Sequence, residues 1–260
     1  METLSIVKIG GNVIDHAANL DKFLASFGRL TGKKILVHGG GKIATELSKK
    51  LGIVPQMVDG RRITDAESLQ VVTMVYAGLI NKTIVAKLHA LNHRAIGLSG
   101  ADANFLYATK RQVGEIDYGF VGDIQDVNVN FLTQLLASGF IPVVCSIAHD
   151  GKGQLLNVNA DTIASTIAVA MAQKESWEVR LWYVFEQAGV LSNPADSSSV
   201  ISHIRPAFYE ELKANGTVSG GMIPKLDNAF NALRNGVRSV VVGGVNLLND
   251  ENQPRTLLTL

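Results

Sequence analysis

Short runs rich in Val, Ile and Leu alternate with stretches of helical period along most of this chain, and that alternation limits the fold more than any other feature. It predicts βα units built around a mainly parallel sheet. The expected strands are Leu4–Ile9, Lys34–Val37, Ala95–Ser99, Ile141–Ser146, Val179–Phe185 and Ser239–Val242. Helical period covers Ala17–Leu30, Ile43–Leu51, Leu69–Leu91, Phe131–Ser138, Thr162–Gln173, Ala207–Ala214 and Leu226–Asn235. Asp59-Gly60 predicts a two-residue hairpin between Ile53–Val58 and Arg61–Thr64. A glycine- and aspartate-rich stretch runs from Ser99 to Gly122. With 260 residues, 47% of them hydrophobic and 18% charged, the chain suits one compact α/β domain. Its roles divide into an N-terminal lobe of about 1–175 and a C-terminal lobe of about 176–260, although no composition shift marks the boundary.

Charge and cysteine content remove several classes of function. The formal net charge is +1, and Lys and Arg are spread evenly, so neither nucleic acid nor an anionic membrane is an expected partner. The single cysteine, Cys145, can form no internal disulfide and sits in the apolar run Phe140–Ile147, which suits a reducing compartment and a packing role. The first nine residues carry Glu2 and Lys8 around a β-like run and lack the pattern of a signal peptide. No apolar stretch is expected to reach the roughly 18 residues of a membrane span. The expectation is a soluble, cytoplasmic protein.

Two of the strands end in glycines: Lys8-Ile9-Gly10-Gly11-Asn12 and His38-Gly39-Gly40-Gly41-Lys42. A strand turning through glycines into a helix presents bare N–H groups at the positive end of that helix, a geometry that binds anions. One such loop is as readily a tight turn as a site; two favour a phosphate site. Ile43 after Lys42 breaks the P-loop spacing, and neither loop carries Gly-x-Gly-x-x-Gly.

Five segments occur in one order: Lys8-Ile9-Gly10-Gly11, His38-Gly39-Gly40-Gly41, Gly60-Arg61-Arg62-Ile63-Thr64, Asn157-Val158-Asn159-Ala160-Asp161 and Gly220-Gly221-Met222-Ile223-Pro224-Lys225. Together they resemble the acetylglutamate-kinase branch of the amino-acid kinase family, across residues 4 to about 245. The resemblance implies a three-layer αβα sandwich and Mg-ATP as co-substrate, with no resident metal or organic cofactor. It implies phosphorylation of the γ-carboxylate of an N-acylated glutamate, as in arginine biosynthesis. The N-terminal lobe would bind acylglutamate and dimerise, and the C-terminal lobe would bind the nucleotide.

The chemistry fits those residue types. A glutamate side chain, with a reference pKa near 4.3, is already ionised at neutral pH, so phosphorylating it needs no base. It needs cations and N–H donors to bring a carboxylate against a triphosphate. By resemblance, Lys8 and Lys225 meet the transferring phosphoryl group and Asp161 orients both. The bland alternatives are a strand-edge lysine, a solvated helix-start lysine and a helix N-cap aspartate. Arg62 suits the α-carboxylate, because a guanidinium forks onto two oxygens. Gly40 and Gly41 would hold the γ-carboxylate or the moving phosphoryl group, Asn157 the acyl amide and carboxylate, and Asn159 the loop around it. Gly10, Gly11, Glu186, Ser219 and Gly221 would contact the nucleotide.

Departures from the family pattern fall on the nucleotide half. Phe185-Glu186 stands where relatives carry a small polar residue and Asp, Arg255-Thr256 replaces Gly-Thr, and Lys is absent from Ser99-Gly100-Ala101-Asp102. The first strand begins near residue 4, which leaves no room for the helix that arginine-regulated hexamers carry; the resemblance then implies a homodimer, with Leu69–Leu91 as its contact. N-succinylglutamate is an alternative substrate. Another activity of the family and a non-catalytic nucleotide-sensing module are the remaining alternatives. His89 and His93 are four apart on a predicted helix, but no third ligand is evident, so a helix surface is expected. His38 is expected to be structural.

Overall fold

The computed structural model describes residues 1–58, 60–248 and 253–260. Asp59 of the expected Asp59-Gly60 turn lies outside the described residues. The strands in chain order are β1 (Glu2–Ile9), β2 (Lys33–His38), β3 (Met57–Val58), β4 (Arg61–Arg62) and β5 (Ala95–Leu98). They continue with β6 (Leu106–Lys110), β7 (Gly122–Val127), β8 (Ile141–Cys145), β9 (Ile147–His149) and β10 (Leu155–Asn157). The last four are β11 (Trp177–Val184), β12 (His203–Ile204), β13 (Ser239–Gly243) and β14 (Arg255–Leu258). The helices are α1 (Gly11–Asp15), α2 (Ala17–Arg29), α3 (Gly41–Lys50), α4 (Ala66–Thr73), α5 (Asn81–Ala90), α6 (Val129–Ala137), α7 (Ala160–Ala172), α8 (Pro206–Ala214) and α9 (Met222–Arg234).

The chain divides into two compact units that differ from the lobes expected on either side of residue 175. Unit 1 joins Met1–Ile35 to Ala164–Leu260, and unit 2 is Leu36–Ile163. The reason lies in strand pairing. β1 runs parallel to β11 in a register that takes Glu2 to Trp177 and Ile9 to Val184, so the N-terminal strand belongs with the C-terminal half.

In unit 1 the strand order is β12-β14-β13-β11-β1. β11 pairs parallel with β13, and β14 runs antiparallel to β13 at the edge. Continuous apolar runs fit strands covered on both faces: Leu4, Ile6, Val7 and Ile9 of β1 are all fully buried. Leu20, Phe23, Leu24 and Phe27 fall at helical spacing on α2 and are buried together. Lys34 secures the end of that helix. Its ammonium is buried and donates to the carbonyls of Phe27, Gly28 and Leu30 at 3.1, 2.7 and 2.7 Å. These are carbonyls that a helix C-terminus leaves unpaired.

In unit 2, β2, β8 and β5 pair in parallel, Leu36 with Val143 and Ala95 with Ile141. A second, four-stranded sheet has the order β10-β9-β6-β7. Its strands were not expected from the sequence. The Leu69–Leu91 segment is one run of helix over residues 66–90, with a seven-residue π-turn, Met74–Ile80, between α4 and α5. By length and composition alone this helix could cross a membrane, which corrects the expectation that no stretch is long enough. In the fold it is a core helix of unit 2. Ile84 and Leu88 are fully buried, and buried Asn81 donates to the Val143 carbonyl of β8 at 2.9 Å.

Candidate active site

Unit 2 carries the better-defined part of the site. β2 ends at His38, whose buried ring lies 2.9 Å from the Gly39 carbonyl through Nδ1 and 3.1 Å from Asn81 Nδ2 through Nε2. Burial pushes its pKa down to about 4, and Lys82 adds to the effect against the bond to Gly39. The ring is therefore neutral and structural. Ser146 Oγ donates to the His38 carbonyl at 2.8 Å and holds the strand end. The chain then turns through Gly39-Gly40-Gly41 into α3. Gly40 has φ +148°, and a Cβ there would collide with Ile80 Cδ1 and lie 3.2 Å from Tyr76 Cδ1. The conformation favours glycine, and a side chain would also have to push the end of Ile80 aside.

Arg62 is brought to this loop. Its Nη2 donates to the Gly41 carbonyl at 3.1 Å and to Thr45 Oγ1 at 2.6 Å. The side chain is buried, and Nη1 has no hydrogen-bond partner among the described residues. A buried guanidinium nitrogen with nothing to donate to is costly unless a ligand supplies the acceptor. Tyr76, set by the π-turn, interacts with the same guanidinium; burial raises its pKa more than Arg62 lowers it, so the phenol stays protonated.

Two residues beyond Arg62, Thr64 Oγ1 accepts from Asn157 Nδ2 at 3.0 Å, so Asn157 is tied to the segment that carries the arginine. Asn159 and Asp161 correct an expectation. Asp161 does not cap α7; it lies inside the first turn, since the helix begins at Ala160. Asn159 is the cap, its Oδ1 accepting from the N–H groups of Asp161 at 2.7 Å and Thr162 at 3.3 Å. Asp161 in the first turn also complements the helix dipole.

Unit 1 carries Lys8, Gly10, Gly11, Glu186, Ser219, Gly221 and Lys225. Lys8 is half-buried on β1, in register with Tyr183 of β11. Gly10 N donates to the Val184 carbonyl at 2.8 Å, and Gly11 opens α1, a helix with no counterpart in the sequence reading. Ser219, Gly220 and Gly221 form an exposed turn in which the carbonyls of Ser219 and Gly220 accept from Met222 and Ile223 at 3.2 Å each. α9 begins at Met222, so Lys225 sits within its first turn and does not open it. The Lys225 ammonium lies 4.6 Å from the centre of the Phe185 ring. Glu186 is exposed. Thr256 is fully buried; its hydroxyl accepts from Val190 N at 2.8 Å and donates to the Ile201 carbonyl at 2.7 Å, locking the 190 and 201 segments together.

The set-aside groups behave as ordinary structure. His89 Nε2 lies 3.0 Å from the Ala95 carbonyl, and no group of three or more His, Cys, Asp or Glu side chains suited to a metal occurs among the described residues. Cys145 is buried, and burial raises its thiol pKa to about 12, which leaves it inert. The sequence reading missed Thr45, Thr64 and Tyr76. Tyr76 and Ile80 read as two more apolar members of a helical stripe, and only their contact with Gly40 marks them.

A sheet of this order with glycine loops at its strand ends defines a class. The chain belongs to the amino acid kinase family, whose sequence profile matches residues 3–244. A protein of Cytophaga hutchinsonii named acetylglutamate kinase is 56% identical over 243 residues, 93% of this chain and 91% of its own length. Its namesake in Phocaeicola vulgatus is 50% identical over 249 residues, 96% of each chain. Among solved structures, an N-acetylglutamate synthase from Neisseria gonorrhoeae superposes with TM-score 0.84 at 21% identity, over 99% of this chain and 59% of that one, and this likeness shows the fold alone.

Proposed function

We propose that the protein transfers the γ-phosphoryl group of Mg-ATP to the γ-carboxylate of N-acetyl-L-glutamate, giving N-acetyl-L-glutamyl 5-phosphate and ADP in arginine biosynthesis. The observation that carries this reading is the Arg62 guanidinium. It is buried beside the Gly39-Gly40-Gly41 loop, and its Nη1 has no hydrogen-bond partner among the described residues. An acylated amino acid offers the carboxylate that would satisfy it. The name shared by the full-length relatives agrees with this assignment.

A carboxylate oxygen of the substrate attacks the γ-phosphorus while the bond from that phosphorus to the β-phosphate oxygen breaks. No proton moves, because the acceptor is ionised. The residues' task is to hold two anions in line. In this assignment Arg62 holds the α-carboxylate, Asn157 the acyl amide and carboxylate, and the N–H groups of Gly40 and Gly41 the reacting end. Asn159 fixes the start of α7, on which Asp161 orients Lys8 and Lys225. The two lysines carry the charge of the moving phosphoryl group. Gly10, Gly11, Glu186, Ser219 and Gly221 serve the nucleotide. Met74 and Leu79, exposed on the long helix, would lie in a homodimer contact, and the enzyme would work in the cytoplasm.

A coupled ADP-release assay across N-acetyl-, N-succinyl- and free glutamate tests the reading. Turnover is expected with an N-acylated glutamate and not with free glutamate; absence of turnover with every acylglutamate overturns it.

A further inference from the structure

His38 moves no proton in the chemistry above, yet its ring ends a hydrogen-bonded chain that leads to the glycine loop. At the exposed end, Lys82 Nζ donates to Asn81 Oδ1 at 3.1 Å and to the Gly97 carbonyl at 3.2 Å. Buried Asn81 turns its Nδ2 to the Val143 carbonyl at 2.9 Å and to His38 Nε2 at 3.1 Å. The chain closes with His38 Nδ1, 2.9 Å from the Gly39 carbonyl. Gly97 makes room for it: a Cβ there would fall on Asn81 Oδ1 and lie 2.8 Å from Lys82 Nζ.

These partners leave the ring one tautomer. A carbonyl only accepts, so Nδ1 carries the hydrogen toward Gly39. The ring is neutral, so Nε2 is bare and accepts from the Asn81 amide. The ammonium on Asn81 Oδ1 and the Val143 carbonyl on Nδ2 fix which way that amide faces.

The Gly39 carbonyl shares a planar trans peptide with the Gly40 N–H, and the two point opposite ways. Holding one aims the other. The neighbouring carbonyls are also taken by the protein: His38 by Ser146 Oγ at 2.8 Å, Gly40 by Ala44 N at 3.0 Å and Gly41 by Thr45 Oγ1 at 2.9 Å. The N–H groups of Gly40 and Gly41 have no acceptor among the described residues. A run of glycines is permissive, so such a peptide does not hold its own direction.

We propose that His38 is a positioning residue for phosphoryl transfer: its Nδ1–H holds the Gly39 carbonyl and so aims the Gly40 N–H at the reacting end, while Asn81 and Lys82 fix the tautomer. The inference rests on the assignment of the glycine loop to that end.

The test compares two substitutions that each keep half of the ring's bonding. His38→Asn puts an amide nitrogen near the place of Nδ1 and keeps a donor for Gly39. His38→Gln puts its amide near the place of Nε2 and keeps only the link to Asn81. With saturating Mg-ATP and N-acetylglutamate, His38→Gln is expected to lower kcat about a hundredfold. KM for the acylglutamate stays close to the parent value. His38→Asn recovers most of the parent kcat, although the two enzymes melt at similar temperatures. Equal losses of kcat in the two, or losses that follow melting temperature, overturn the role of His38. The unsubstituted protein gives a second check: its ¹⁵N spectrum at neutral pH should show hydrogen on His38 Nδ1 and none on Nε2, and the opposite tautomer also overturns the role. Gly40→Ala separates the two layers. If it loses kcat while His38→Gln keeps it, the role of His38 is overturned and that of the loop stands. If Gly40→Ala keeps the parent kcat, the assignment of the loop fails and the role of His38 falls with it.

Discussion

The two units hold their site residues by different means. In unit 2 each group is fixed by hard constraints: Gly40 by a backbone φ of +148°, Arg62 by bonds to Gly41 and Thr45, Asn157 by its bond to Thr64. In unit 1, Gly10 N is tied to the Val184 carbonyl, an exposed glycine turn precedes α9, and the Phe185 ring lies beneath Lys225. A carboxylate must be read by direction, through two parallel bonds, whereas a phosphoryl group in transit must be met by charge that can follow it. The contrast predicts that small changes in unit 2 cost more than comparable ones in unit 1.

The largest effect is expected from Gly40→Ala. Alanine is strained at φ +148°, and its methyl would displace the end of the Ile80 side chain, for a cost of about 3 kcal/mol, most of it from the backbone. The measurement is kcat/KM for acylglutamate together with the unfolding free energy; activity within threefold of the parent would break the comparison. Next comes Arg62→Lys. An ammonium cannot keep Thr45 and Gly41 while also forking onto a carboxylate, so KM for acylglutamate should rise about a hundredfold, or about 3 kcal/mol. KM for ATP stays unchanged.

Acid sharpens the same comparison. His38 titrates at about 4 in the fold against 6.5 when unfolded, so below 6.5 the unfolded chain binds the extra proton. Stability is whole above pH 6.5, declines through the interval down to about 4 and then levels, with about 3 kcal/mol lost from this residue. In chemical denaturation at stepped pH, His38→Gln should remove that slope. The smallest effect falls in unit 1. Thr256→Val leaves Val190 N without its acceptor and should lower stability by about 1–2 kcal/mol, with kcat close to the parent value.

Much of this was legible in the chain. β1, β2, β8 and β13 are apolar runs buried on both faces, and such runs announce themselves, while β11 alternates buried Val179, Leu181 and Tyr183 with exposed Arg180. The glycine loops showed because glycine is the only residue for a backbone like that of Gly40. β7 did not show: Gly-Asp-Ile-Gln-Asp-Val is buried only at its ends, so no alternation marks it. β9 and β10, three residues each, are shorter than any periodicity. The π-turn is invisible because the residues that widen a helix by one are those that build an ordinary one, and with it went Tyr76. The unit boundary was hidden because α7 runs unbroken from Ala160 to Ala172 across the point where unit 2 ends, at Ile163. Asp161 was placed one position outside a helix whose true cap, Asn159, carries an equally good acceptor.

The pairing of β1 with β11 also sets a timetable for synthesis. Strands β2, β5 and β8 find one another within Leu36–Ile163, so that stretch has its partners as soon as it leaves the ribosome. Glu2 must wait for Trp177 and Ile9 for Val184. At about 5–20 residues per second the first strand to be made waits on the order of ten seconds for β11. During that interval the run Leu4-Ser5-Ile6-Val7 is an apolar strand with an open edge, the segment of the nascent chain that a chaperone would have most reason to cover.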